Sequence, residues 1–101
     1  MARLDVYRLD GDDAPGYVLD VQADLLNELQ TRVVVPLIPV NSGFRPIAEI
    51  NPVFEVAGAP HILMAQSIGS VPARALRRPA MSLAAHHDTV TRALDVLLLG
   101  F

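Results

Sequence analysis

The chain has 101 residues, 51% of them hydrophobic, with a formal charge of −3 and no cysteine. That length makes one domain with a single modest core. The acidic balance argues against a protein whose main work is gripping nucleic acid, which calls for a basic surplus or stripe. Without cysteine, disulfides and thiolate metal sites are excluded.

Every cation is arginine and none is lysine, which fits a GC-rich genome as well as any demand for bidentate contacts. So apolar a small body often hides part of its surface in a homodimer. No run approaches the ~18 apolar residues of a membrane span. The segment MARLDVYRLDGDD carries charges where a signal peptide needs an apolar core, so a cytoplasmic location is expected.

Leu4 to Leu9 alternates, with Leu4, Val6 and Arg8 on one side and Asp5, Tyr7 and Leu9 on the other, and predicts a half-buried first strand. The sequence GDDAPG follows as a turn, and Tyr17 to Gln22 returns as the second strand of a hairpin. Asp20 interrupts that apolar run, either facing solvent or bonding nearby backbone. Ala23 to Gln30, with leucines at 25, 26 and 29, fits a short helix or a structured loop.

Arg32 to Leu37 is the most β-branched stretch and predicts a strand covered on both faces. Pro36 cannot donate a ladder hydrogen bond, so the strand should end, bulge or run along an edge there. Pro39 to Pro52 reads as a loop with at most an extended piece around Ile47 to Ile50. Val53 to Val56 and His61 to Ser67 flank AGAP and predict a second hairpin turning at Gly58. Ser70-Val71-Pro72 breaks the last strand, and Ala73 to Ala80 leads past Arg74, Arg77, Arg78 and Pro79 to the C-terminal segment.

That segment, Ser82 to Phe101, predicts a helix with Ser82 as N-cap and no proline or glycine before Gly100. Leu83, His87, Val90, Leu94, Leu97 and Phe101 repeat at steps of three and four and form the stripe to be buried. Asp88, Arg92, Asp95 and Leu99 form the opposite stripe. Leu99 is therefore a large apolar side chain on a polar face. It is either an ordinary surface leucine or a contact site at the C-terminal end. Five or so short strands followed by a helix make a small twisted sheet or partly open barrel with the helix appended.

Catalytic candidates are sparse. His86 and His87 point about 100° apart on a helix and do not chelate one ion together. No serine sits in a nucleophile elbow and no glycine loop resembles a phosphate cradle. Metal-free RNA cleavage needs a general base, an acid and a cation for the phosphate, roles open to Arg32, Arg74, Arg77, His61 or Glu55 if the fold gathers them. Arg74, Arg77 and Arg78 read as a solvated turn or as the docking site of an acidic partner segment.

Five motifs stand in order: Tyr17-Val-Leu-Asp-Val-Gln-Ala-Asp-Leu-Leu26, Arg32-Val-Val-Val-Pro-Leu37, Asn51-Pro-Val-Phe54, Ser70-Val-Pro72 and Gly100-Phe101. In this register the chain resembles the CcdB toxins of bacterial toxin–antitoxin modules over essentially its whole length. The resemblance implies a mainly β, SH3-like small barrel of the CcdB/MazF kind, with a C-terminal helix, paired as a homodimer. It implies a non-enzymatic poison, without cofactor or metal, that binds the A subunit of DNA gyrase and traps the cleaved-DNA complex. A CcdA-like antitoxin would neutralise it, and DNA contact for operon repression would come only through that antitoxin.

In the family the target is gripped by a terminal tryptophan–glycine–isoleucine and an asparagine one turn earlier. The matching positions here are Leu99, Gly100, Phe101 and Asp95. Leu99 stands for the tryptophan and Asp95 for the asparagine. Leucine keeps part of the apolar burial and loses the flat face on which an arginine stacks, worth about 0.5 to 2 kcal/mol. Two alternatives stay open. One is an endoribonuclease like the related MazF and Kid toxins, and the other a non-toxic member acting as an antitoxin-binding operon regulator.

Overall fold

The computed structural model describes residues 2–9 and 16–101. Among the described residues there are seven strands: β1 (Asp5–Arg8), β2 (Tyr17–Asp20), β3 (Thr31–Pro39), β4 (Val53–Val56), β5 (Ala59–Leu63), β6 (Gly69–Pro72) and β7 (Pro79–Ser82). One helix, α1 (His87–Leu99), ends the fold. The strands form one sheet in the order β4-β5-β3-β2-β1-β7, with β6 also paired to β3. This is the mainly β half-barrel with a C-terminal helix that the sequence implies.

Both expected hairpins are present. β1 and β2 pair antiparallel, Val6 opposite Leu19 and Tyr7 opposite Val18; the GDDAPG turn between them lies, apart from Gly16, outside the described residues. β4 and β5 turn through Ala57 and Gly58, whose φ angles are +52° and +81°. Two successive positive φ values make the mirror-image turn whose twist matches a two-residue hairpin. β5 ends at Leu63, and a 3-10 turn at Ala65–Ser67 replaces the expected continuation of the strand.

β3 carries the architecture. Its first half pairs with β6 and its second half with β5 on one side, while β2 runs along the other. Pro36 sits where the partner changes. Its carbonyl accepts the Met64 N–H at 2.8 Å, and a strand residue's N and O face the same side, so its missing donor faces the gap between β6 and β5. This is why the strand runs past the proline instead of ending, bulging or lying at an edge.

Two strands were hidden in the sequence. Ser70-Val71-Pro72 does not break a strand but belongs to β6, opposite Thr31 to Val33. Pro79 to Ser82, expected as the end of a connector and the N-cap of the helix, pairs with β1 through a bulge between Val6 and Tyr7. Both are short, bounded by proline and paired with strands far away in sequence, so local pattern says little about them. The segment expected as extended at Ile47 to Ile50 is instead a turn, closed by the Asn51 N–H to the Ile47 carbonyl at 2.8 Å.

The middle of the sheet is covered on both faces, so Val6 and Tyr7 of β1, which point to opposite sides, are both buried, while Asp5 is half-buried and Arg8 exposed. One face, with Val6, Leu19, Val35, Leu37, Phe54, Val56 and Leu63, meets Leu83, Val90 and Leu94 of the C-terminal segment. The other holds a smaller cluster of Tyr7, Val18, Val34 and Leu76. Alternation puts Asp20 and Arg32 on this second face too, and both side chains are completely buried.

Asp20 is therefore not the solvent-facing member of its strand. Its Oδ2 accepts from Arg32 Nε at 3.1 Å and also from Arg32 Nη2. Its Oδ1 accepts the Gln22 N–H at 3.0 Å. The remaining guanidinium nitrogen donates to Asn27 Oδ1. Gln22 completes the network, donating to the Leu26 carbonyl at 2.9 Å and accepting the Val33 N–H at 3.1 Å.

Tyr7 lies beside this network. Burial pushes its phenol above its ordinary value, the Asp5 and Asp20 carboxylates push the same way, and the Arg32 guanidinium opposes them. The folded protein thus holds this proton more tightly than the unfolded chain. The associated stability is full below about pH 10, the free phenol value, and is lost as pH rises through the folded value. Urea melts on either side of about pH 10 should show a fall in stability on the alkaline side, and Tyr7→Phe should reduce that fall.

Candidate functional site

The end of α1 presents the largest exposed apolar side chains of the helix: Leu98 is 65% exposed, Leu99 62% and Phe101 85%. Asp95, one turn earlier, is half-buried. Gly100 has φ +85° and its N–H bonds the Asp95 and Val96 carbonyls at 3.1 and 3.0 Å. That is a glycine C-cap, which closes the helix and turns the chain out of its axis.

Two members of the expected buried stripe consequently lie elsewhere. Phe101 follows the reversal at Gly100 and is exposed. His87 is exposed at the first turn, because α1 begins there and not after Ser82. Ser82 ends β7, and its Oγ accepts the Ala84 N–H at 3.1 Å in a turn that precedes a separate 3-10 segment, Ala84–His86. Val90 and Leu94 are buried as the spacing requires, with Ala93 beside them. His86 lies at the surface with its ring 5.2 Å from that of Phe54.

The second candidate surface is the segment of Arg74, Arg77 and Arg78. All three are exposed, while Leu76 between them is buried in the smaller cluster. Leu76 thus anchors a loop whose arginines stay in solvent. Among the described residues, none of the three makes an ion pair or a hydrogen bond through its side chain.

The residues weighed for RNA cleavage do not converge. Arg32 is buried and held by Asp20 and Asn27. His61 is nearly buried, its Nδ1 2.9 Å from the Ala59 carbonyl and its ring edge-on to Tyr17 at 5.6 Å. Phe54 is the cross-strand partner of His61, so Glu55, the next residue, projects from the opposite face of the sheet. Among the described residues no group of three metal-ligating side chains comes together.

Residues 3–100 match the family described as CcdB protein. The chain belongs to the CcdB family. It is thus a member of a family of toxins from toxin–antitoxin modules. No curated protein sequence matches this CcdB chain.

Solved structures similar to it include an endoribonuclease in complex with its cognate antitoxin from Mycobacterial species, at 19% identity and a TM-score of 0.79, covering 97% of this chain and 94% of that one. An endoribonuclease from Mycobacterial species gives 19% identity and a TM-score of 0.74 over 97% and 90% of the two chains. The Mycobacterium tuberculosis toxin MazF-mt6 gives 18% and 0.64 over 90% and 92%. At such identities the likeness establishes the shared fold.

Within this CcdB chain, sequence reasoning missed Leu98 as a neighbour of Leu99 on the exposed end, and it missed the buried Asp20–Arg32 pair. Leu98 had a legible signal: it belongs to neither helical stripe and stands two residues before the closing glycine.

Proposed function

We propose that this CcdB protein is the toxin of a toxin–antitoxin module, that it binds the A subunit of DNA gyrase through the end of α1, and that it traps the cleaved-DNA complex. The observation that carries the reading is the exposed apolar end formed by Leu99 and Phe101 around the capped Gly100, at the positions where the family resemblance puts the target contact. Leu99 supplies apolar burial in place of an aromatic face. Half-buried Asp95 supplies a carboxylate suited to an arginine of the target. A CcdA-like antitoxin neutralises the toxin, and the unpaired Arg74, Arg77 and Arg78 suit its acidic segment. The protein acts as a homodimer in the cytoplasm, and DNA is contacted only through the antitoxin.

A second reading, an endoribonuclease, draws on the fold shared with the mycobacterial endoribonucleases. Against it stand the occupied Arg32 and the opposite faces of Glu55 and His61. A non-toxic, antitoxin-binding regulator is the third. Purified protein added to gyrase and relaxed plasmid discriminates among them. Cleaved plasmid supports the first, degradation of RNA without added metal the second, and neither activity alongside antitoxin binding the third.

Gly100 offers a local test. A Cβ built there meets nothing within 4 Å, so only the positive φ opposes a side chain. Gly100→Ala should lower stability by no more than about 1 kcal/mol, since the terminal turn can unwind instead. Unwinding misplaces Phe101, so gyrase inhibition should fall more than the urea midpoint does.

A further inference from the structure

β4 is the last strand on its side of the sheet and pairs with β5 alone. The turn fixes which of its backbone groups that pairing uses. With a two-residue turn at Ala57 and Gly58, Val56 and Ala59 form a hydrogen-bonded pair. Phe54 with His61 is the next such pair, and the Leu63 N–H on the Pro52 carbonyl at 2.9 Å continues the series. Val53 and Glu55 fall between these pairs, so their N–H and C=O groups point away from β5. Pro60, opposite Glu55, has no N–H to offer in any case.

The free edge thus carries two donors and two acceptors at strand spacing. Among the described residues nothing bonds them. The side chains agree with an open edge: Phe54 and Val56 are buried, whereas Val53 is 49% exposed and Glu55 is exposed. The Glu55 carboxylate has neither an ion pair nor a hydrogen bond among the described residues. An edge with free backbone groups is a template for one more strand.

Charge selects the occupant. A second copy of β4, laid antiparallel so that Val53 and Glu55 of both chains are engaged, would make the two Glu55 side chains diagonal neighbours on one face, which like charge disfavours. A strand with a cation there meets an opposite charge instead. We infer that β4 is a docking edge for an extended peptide segment of another protein, which adds as an antiparallel strand with Arg or Lys opposite Glu55 and, two residues later, a β-branched apolar residue opposite Val53. Main-chain bonds supply the affinity and the two side chains supply the choice. No residue of the α1 end takes part, so the inference stands apart from the gyrase reading.

The test uses the full chain labelled with nitrogen-15 and a short acetylated threonine peptide that contains one Arg-Thr-Val sequence. In the free protein the Val53 and Glu55 amide protons should exchange with solvent fast, and those of Phe54 and Val56 slowly. Peptide in excess should slow the first two. N-methylation of the peptide at Arg and Val, whose N–H groups face β4, should weaken binding roughly tenfold or more. N-methylation of the threonine between them should leave it nearly unchanged. A peptide with Glu in place of Arg should bind roughly two- to fivefold more weakly, and Glu55→Arg should reverse that preference. Circular dichroism melts confirm that Glu55→Arg remains folded.

Slow exchange at Val53 and Glu55 in the dilute free protein would mean that the edge is already covered and would overturn the proposal. Slowing that follows protein concentration without peptide would give the edge to a second copy and do the same. No slowing at millimolar peptide would overturn it as well. Binding indifferent to the site of N-methylation would show that no strand is added, and equal binding of the Arg and Glu peptides would remove the basic partner.

Discussion

Asp20→Ala is expected to lower the unfolding free energy by about 3 to 5 kcal/mol, because it leaves the completely buried Arg32 guanidinium without its counter-charge. Against a total of about 5 to 15 kcal/mol for a native domain, that is a large share. The cost comes from stranding a desolvated charge, not from losing one favourable contact. Replacing both partners by apolar residues, as in Asp20→Leu/Arg32→Met, should therefore be milder than the single substitution. The double variant still loses the anchor of Asn27 and of the Gln22 N–H, so recovery should be partial. Urea unfolding of the three proteins decides it: a single-variant loss under about 1 kcal/mol would mean that water reaches the guanidinium.

The second large effect separates the two sides of α1. Leu94→Ala removes a buried side chain packed in the main core and should cost about 2 to 5 kcal/mol. Leu99→Ala removes one that is 62% exposed and should change the melt little. Its effect should appear in target binding, where truncating an anchoring side chain costs more than ~1 to 2 kcal/mol. The pair thus dissociates stability from activity along one short helix. Equal thermal destabilisation in both would show that Leu99 packs against protein, and the contact would have to be sought elsewhere.

The two hairpins were legible because alternation and a Gly-containing turn are local signals. The core of α1 was legible because Val90 and Leu94 obey helical spacing. What escaped depends on register. Asp20 stands opposite Val34, and Arg32 lies two residues before Val34 on the same face, so the ion pair is a diagonal cross-strand contact. Until β2 and β3 are aligned, nothing local joins the two residues: Asp20 reads as solvent-facing or bonded to nearby backbone, and Arg32 as the start of a covered strand.

β6 and β7 escaped for the same reason, since each borrows its identity from β3 or β1. The exposure of Leu25 and Leu29 could not be read from spacing, which reports a shared face but not whether anything covers it. At the candidate site, Leu99 was legible as the odd member of a polar stripe. Phe101 was misplaced because a glycine in the left-handed region ends helical periodicity one residue before it.

The central claim is that the exposed end of α1 engages gyrase. Its most direct test is accumulation of cleaved plasmid when purified protein is added to gyrase, compared for the unaltered chain, Leu99→Ala, and Leu94→Ala below its melting temperature. The expected result is cleaved complex with the unaltered chain and with folded Leu94→Ala, and its loss with Leu99→Ala. No cleaved complex with any of them, together with degradation of RNA in the absence of added metal, would contradict the account.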